Sequence, residues 1–311
     1  MRGPGGGESG LAPVSAAGVR PGAARAGLLA ARPLTLPVGV APVMAGAAVA
    51  IAAGPVDAWA IVAAFLGAVW IQIGANFAND LFDHEKGADT AARVGPVRAT
   101  ASGLLTRAQV RAGMIGSFAL ATLAGAYLMI VGGWPIVAIG VASILSAMAY
   151  TGGPWPLGYH GLGDLFVFVF FGPVAVGGTA YVAAGSLPPL ALPAGVAIGA
   201  LATCVLVVNN VRDRLTDRET GKRTLVARFG RGFGVREYAF LLAVAYAVPL
   251  ALALSGRASP WLLLPLFSLF RALKLLRYLA TLEGPALNPI LAATGSLALG
   301  YAFLFCGGVL L

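Results

Sequence analysis

Nine stretches of this chain, at 34–54, 58–79, 112–131, 134–150, 164–184, 189–210, 237–255, 259–276 and 288–310, are apolar and almost free of charge. Each is close to the roughly 17–25 residues a helix needs to cross the hydrocarbon core of a bilayer. In lipid every backbone N–H and C=O must be satisfied within the protein, so spans this short and this apolar must be helices. The pattern predicts an all-α membrane protein with about nine transmembrane helices. Composition agrees: 59% of residues are hydrophobic and 11% charged, against about 25% charged in a soluble domain. Abundant Gly and Ala suit close packing of membrane helices. Disorder, a coiled coil and a soluble globular enzyme are excluded.

The charges orient the spans. Counted through the nine spans, all but two of the 21 Lys and Arg residues fall on one side. Arg257 lies on the other, and Arg271 falls inside the eighth span. The positive-inside rule then places the N-terminus in the cytoplasm and the C-terminus outside. The two long polar loops, near 80–111 and 211–236, both face the cytoplasm. Residues 1–33, rich in Gly, Ala, Pro and Arg, are expected to be a flexible basic arm without a signal peptide. Residues 34–311 form a single transmembrane domain. The net charge of +9 suits anionic lipid or an anionic substrate and makes nucleic acid the weakest choice of partner. Cys204 and Cys306 sit in apolar runs and read as small buried hydrophobes.

The acidic residues carry the chemistry. Seven of the 12 Asp and Glu residues fall in two windows. These are NFANDLFDHEKGADT at 76–90 and NNVRDRLTDRETGKRT at 209–224. If the second span continues as a helix past its apolar end, Asn76, Asn79, Asp80 and Asp83 fall on one side of it. Asn209 or Asn210, Asp213 and Asp217 do the same on the sixth span. Like charges three or four residues apart on a helix repel, so these spacings make sense with a cation between them. Asp and Asn oxygens are hard ligands suited to Mg²⁺, which is held by a few carboxylates plus substrate phosphates. Asp80, Asp83, Asp213 and Asp217 are therefore the candidate metal ligands and catalytic residues. Arg93, Arg212, Lys222 and Arg223, with Asn79 and Asn210, are candidates for binding a diphosphate. A single such motif at a membrane edge is more often a solvated helix end. Two copies, each preceded by Asn and followed by Gly and a basic residue, favour a site.

Other residues keep two readings. Tyr159 and His160 either position an aromatic acceptor or anchor a loop at the membrane interface. Asp164 either caps a helix or meets substrate. His84 reads as a solvated loop residue. Phe166, Phe168, Phe170 and Phe171 pack against lipid and neighbouring helices or line a tunnel.

With these motifs in place, residues 32–311 resemble the UbiA superfamily of intramembrane prenyltransferases. The first aspartate-rich motif matches Asn79, Asp80, Asp83 and Asp89. The second matches Asn210, Asp213 and Asp217, followed by GKRTL at 221–225. The spacing to Asp89 resembles the branch that prenylates 1,4-dihydroxy-2-naphthoate, as do RPLTLP at 32–37, VGPVRATASGLL at 94–105 and GGPWPLGYHGLGDLFVFVFFGP at 152–173. One departure is Val97 before Arg98, where the branch often carries a basic pair or Arg-Ala after Gly-Pro. The resemblance implies nine helices around a central cavity, with Mg²⁺ and a polyprenyl diphosphate bound between the two motifs near the cytoplasmic face of the inner membrane. It implies transfer of the prenyl group to 1,4-dihydroxy-2-naphthoate with loss of CO₂ and diphosphate, giving demethylmenaquinol. Asn76, Asp89, Tyr159 and Asp164 are the candidates for positioning that acceptor. Membrane lipid is the other partner. The rivals are a 4-hydroxybenzoate or chlorophyllide acceptor, a CDP-alcohol-type transferase and a transporter. The second would cluster its aspartates in one motif. The third would carry ionisable groups near mid-bilayer.

Overall fold

The computed structural model describes residues 22–88, 94–95 and 98–311, and all regular structure among them is helical. In chain order the helices are α1 (Ala23–Ala31), α2 (Leu36–Ala53), α3 (Ala58–Glu85), α4 (Arg107–Gly132), α5 (Trp134–Ala149) and α6 (Gly163–Ala184). They continue with α7 (Ala191–Glu219), α8 (Leu225–Phe229), α9 (Arg231–Leu254), α10 (Leu269–Thr281) and α11 (Asn288–Leu310). Seven are long and apolar enough to cross a membrane: α2, α3, α4, α6, α7, α9, and α11 with the turn before it, Gly284–Leu310. The predicted segment at 134–150 is the shorter apolar α5, of 16 residues. The segment predicted at 259–276 is a 3₁₀ stretch, Pro260–Ser268, running into the amphipathic α10.

Residues 1–21 of the expected arm lie outside the described residues. Its C-terminal part includes α1, which buries Ala26 and Ala30 against Phe77, Ala78 and Leu81 of α3 and Val110 and Met114 of α4. Alanine has the highest helix propensity, and a packed partner stabilises a helix too short to persist alone. The transmembrane domain therefore gains a short helix before residue 34.

Two features of α3 and α7 set up the site. They have 28 and 29 residues, so each is about 42–44 Å long at 1.5 Å per residue. That exceeds a hydrocarbon core of about 30 Å. Their final turns leave the apolar region while still helical, and these turns carry the aspartates. The start of α3 is fixed by Asp57, whose Oδ1 accepts from the Trp59 and Ala60 amides at 2.9 and 3.0 Å. The hydroxyl of Tyr127 donates to Asp57 Oδ2 at 2.8 Å and ties that end to α4.

Helix α7 is the central element, with 78% of its apolar window buried inside the protein. It crosses α6 through glycine. A Cβ on Gly172 would stand 2.5 Å from the Gly195 carbonyl oxygen, and one on Gly199 would stand 2.5 Å from that of Phe168. Helix α6 bends at this crossing. Pro173 offers no N–H, and Gly172 takes φ −111°, ψ −109°, outside helical geometry. One packed region gathers α2, α6, α7, α9 and α11, and the other gathers α1, α3 and α4. A cavity of about 1230 Å³ opens between them, lined by residues of α2 to α7, by the first turns of α11, by Leu29 of α1 and by the loops at their polar ends.

Candidate active site

The cavity has a long apolar wall and one polar end. Val43, Met129, Ile139, Phe166, Phe170 and Phe171 border the apolar part. The rings of Phe166 and Phe170 stack at 5.9 Å. Phe168, on another face of α6, packs against the protein core instead. Asn76, Asn79 and Asp83 of α3 and Asn209, Asn210, Arg212, Asp213 and Asp217 of α7 line the polar end. The steps of three and four read from the sequence thus bring the two motifs to one space.

Asp83 takes contacts from three side chains. It is 1% exposed. Arg98 Nη2 reaches its Oδ2 at 2.6 Å. Lys222 Nζ and the Tyr159 hydroxyl reach its Oδ1 at 2.9 and 3.1 Å. Asp213 faces Arg212, whose Nε and Nη2 donate to its two oxygens at 2.8 and 2.6 Å. The same guanidinium donates to Asn209 Oδ1 at 2.7 Å and to Asn288 Oδ1 at 3.0 Å. Arg212, expected to bind diphosphate, thus borders the cavity while clamped to three side chains. Buried ions require such pairing, since an unpartnered charge costs several kcal/mol.

The loop between α5 and α6 covers this end. Two ammonium groups stand over the Tyr159 ring, Lys86 at 5.1 Å and Lys222 at 4.8 Å from its centre. Lys86 also donates to the Gly153 carbonyl at 3.0 Å. Burial pushes the Lys86 ammonium below the usual lysine range; Asp83 pulls it up and Lys222 adds to the fall. His160 stacks on Trp155 at 4.3 Å and bonds the Pro156 carbonyl, so of the two neighbours it is Tyr159 that borders the cavity.

The remaining expected residues are placed as follows. Asn79 accepts from the Thr151 hydroxyl at 2.9 Å. Asn76 donates to the Ala31 carbonyl at 2.8 Å and to Thr35 Oγ1 at 3.1 Å, which fixes the elbow between α1 and α2. Asp164 stands behind the cavity wall, and Asn210 Nδ2 donates to it at 3.4 Å. The Arg223 side chain is exposed away from the cavity, while its backbone N–H donates to the Tyr159 carbonyl at 2.9 Å. Asp80 turns to the backbone of residues 99 and 100. Asp80 and Asp164 thus make contacts within the protein, and neither they nor Arg223 borders the cavity. Arg93 and Asp89 lie outside the described residues. Asn288 and Thr151 were not anticipated. The only signal for Asn288 was a polar residue opening an apolar span.

Among the described residues no three acidic, His or Cys side chains already stand together as a chelating set. The donors still suit Mg²⁺. Asp83, Asp213 and Asp217 present hard carboxylate oxygens to one cavity, and Mg²⁺ takes only one or two carboxylates with water and substrate phosphates.

Comparison with known proteins agrees with this geometry. The UbiA prenyltransferase family profile matches residues 39–288. The 1,4-dihydroxy-2-naphthoate octaprenyltransferase of Mycobacterium tuberculosis is 40% identical over 280 residues, covering 90% of this chain and 94% of that protein. The Escherichia coli protein of the same description is 38% identical over 289 residues, covering 90% and 93%. Among solved structures, an apo UbiA homologue from Aeropyrum pernix superposes with a TM-score of 0.67 at 13% identity, covering 88% of this chain and 96% of that one. A UbiA homologue from Archaeoglobus fulgidus bound to GPP and Mg²⁺ superposes with a TM-score of 0.58 at 14% identity, covering 91% and 99%. With paired aspartate helices at the polar end of an apolar cavity and a profile match across most of its length, this chain belongs to the UbiA prenyltransferase family.

Proposed function

We propose that the protein transfers a polyprenyl group from a polyprenyl diphosphate to 1,4-dihydroxy-2-naphthoate, releasing diphosphate and CO₂ and giving demethylmenaquinol. It acts as a Mg²⁺-dependent enzyme of the inner membrane, with nine spans, a cytoplasmic N-terminus and its site near the cytoplasmic face. The observation that carries the reading is the join of acid, base and grease in one cavity. Asp83, Asp213 and Asp217 share its polar end with Arg98 and Lys222, and an apolar wall with three phenylalanines continues from it. The acceptor follows from the relatives described as 1,4-dihydroxy-2-naphthoate octaprenyltransferases.

Asp83, Asp213 and Asp217 would hold Mg²⁺, with Asn79 and Asn210 beside them. When bound, the ion supplies positive charge that neutralises the departing diphosphate. Lys222 and Arg98, now on Asp83, would stabilise diphosphate oxygens when a cation balances that carboxylate. The allylic C–O bond breaks with its electron pair leaving on the diphosphate. A naphthoate ring carbon then donates its pair to the allylic carbon, and CO₂ departs leaving its bonding pair in the ring. The apolar wall holds the isoprenoid chain and keeps water from the allylic cation. Tyr159, with Lys86 and Lys222 over its ring, forms the roof under which the acceptor is held.

The test is a membrane assay with 1,4-dihydroxy-2-naphthoate, a polyprenyl diphosphate and Mg²⁺. Prenylated naphthoquinol as product supports the reading. Turnover with 4-hydroxybenzoate and none with the naphthoate would move the protein to another branch of the family.

A further inference from the structure

Asp80 and Asp83 stand one helical turn apart near the end of α3, and both hold the same short loop. Asp83 takes the Arg98 side chain at 2.6 Å. Asp80 takes the next two backbone amides, with Ala99 N at 2.8 Å on Oδ2 and Thr100 N at 3.0 Å on Oδ1. Asp80 is 1% exposed and does not border the cavity, whereas Asp83 and Arg98 do. The loop closes on itself. Ser102 donates to the Arg98 carbonyl through N and Oγ at 3.0 and 2.6 Å, and the Leu104 and Leu105 amides reach the Ala99 carbonyl at 3.0 and 3.1 Å. A loop so knotted moves as a unit, and its backbone is tied to α3 through Asp80.

We propose that Asp80 is a positioning residue and not a metal ligand: its carboxylate anchors loop 98–105 so that the Arg98 guanidinium is held at the diphosphate end of the cavity. The assignment rests on the prenyl-diphosphate reading above and deepens it. A carboxylate is required because both of its oxygens must accept. Asparagine offers one acceptor oxygen, and its NH₂ would face a buried amide N–H, leaving that donor unsatisfied. The backbone contacts of Asp80 thus set where Arg98, the residue just before them, can reach.

The test uses the full-length protein in detergent, without acceptor. Binding of a non-ionisable prenyl thiolodiphosphate is measured by calorimetry across a Mg²⁺ titration. Asp80→Asn should weaken thiolodiphosphate binding about tenfold or more, the size found when an orienting partner is lost. The Mg²⁺ concentration for half-saturation should stay at the wild-type value. In an Arg98→Gln background, Asp80→Asn should cost nothing further, because Asp80 acts through Arg98. A raised Mg²⁺ requirement, or losses that add in the double variant, would overturn the assignment. If Asp80→Asn does not fold, Asp80→Glu goes through the same measurements, with the same non-additivity expected and the same results overturning it. Wild-type protein that does not bind the thiolodiphosphate at all removes the reading beneath; bound wild type with additive losses removes only the role of Asp80.

Discussion

Lys222 Nζ stands 2.9 Å from Asp83 Oδ1, so the segment that follows the second aspartate helix closes on the carboxylate of the first. The backbone reinforces the reach, since the Lys222 amide donates to the Asp217 carbonyl at 2.8 Å. An ammonium so placed balances the Asp83 charge, and under the proposed function it would serve the diphosphate. Replacing it by Met keeps most of the stem and removes the charge. A charge-assisted hydrogen bond is worth about 1.5–3 kcal/mol. We expect Lys222→Met to raise KM for the prenyl diphosphate about ten- to a hundredfold, with KM for the naphthoate little changed. Steady-state kinetics with each substrate varied in turn checks this, and equal effects on both would refute it.

Asp83, Asp213 and Asp217 are expected to be harder losses. Each is buried and faces the cavity, and Asp83 and Asp213 are paired with groups of opposite charge. Asn in their place keeps shape but removes the charge that a divalent ion needs. We expect each Asp→Asn variant to lose on the order of 10²-fold or more in kcat, the size seen when one group stabilising developing charge is removed. EDTA should abolish wild-type turnover and added Mg²⁺ restore it. Full activity of all three folded variants, or turnover indifferent to chelation, would end the site assignment.

These expectations were open to sequence reasoning because spacing on a helix is a geometric statement. Asn76, Asn79 and Asp83 share the face of α3 that meets the cavity, as steps of three and four require. Asp80 belongs to the same spacing, yet it sits where the returning loop offers two amides, and no local pattern encodes which loop will return there. Asn288 is the converse. It joins Arg212 from a position 76 residues along the chain, a tertiary meeting invisible to periodicity. The apolar segments were legible for the same reason the aspartates were, but α1 was hidden because a short alanine-rich stretch with a single Arg reads alike as arm or packed helix. The 3₁₀ stretch Pro260–Ser268 was hidden because its apolar run matches an α-helical span and only Pro260 and Pro265 mark the difference.

The crossing of α6 and α7 makes a stability prediction away from the chemistry. A methyl group on Gly199 would press on the Phe168 carbonyl at 2.5 Å and on Gly172 Cα at 2.9 Å. Both are backbone atoms and cannot rotate aside. Overpacking of this kind costs about 1–3 kcal/mol. Gly199→Ala should lower the melting temperature in detergent, while Gly140→Ala, with no atom within 4 Å of the added methyl, should not. Equal melting temperatures for the two variants would contradict the close crossing.

Asp57 gives a pH-dependent test at the opposite end of α3. The Ala60 amide and then the Tyr127 hydroxyl hold its carboxyl below the usual range, with burial working slightly the other way. A carboxyl lowered by folding stabilises the fold above its unfolded value of about 3.9, and that contribution is lost as pH falls through the folded value. Asp57→Ala should therefore melt below wild type at pH 7. The gap should shrink as pH falls below the unfolded value and through the lower folded one, where the wild-type carboxyl is protonated too. Thermal unfolding of both proteins across this range decides it, and a gap independent of pH would show that the carboxylate charge plays no part.

Asn288 joins three parts of the polar end at once. It heads α11, accepts from Arg212 Nη1 at 3.0 Å, and donates to the Val94 carbonyl at 3.2 Å. Arg212 keeps its bonds to Asp213 and Asn209 when this contact goes, so the guanidinium stays charged and partnered. What is lost is the tie between α7 and the chain leading into the Arg98 loop. Asn288→Ala should therefore raise KM for the prenyl diphosphate, leave the Mg²⁺ requirement near wild type, and cost about 1 kcal/mol of stability for the hydrogen bonds removed. Asn288→Asp provides the contrast: it keeps the acceptor for Arg212 but offers the Val94 carbonyl no donor, and two carboxylates then compete for one guanidinium. If the Asp variant restores wild-type kinetics, the bond to Arg212 alone is what matters; if it behaves like Ala or worse, the bridge to the loop is required.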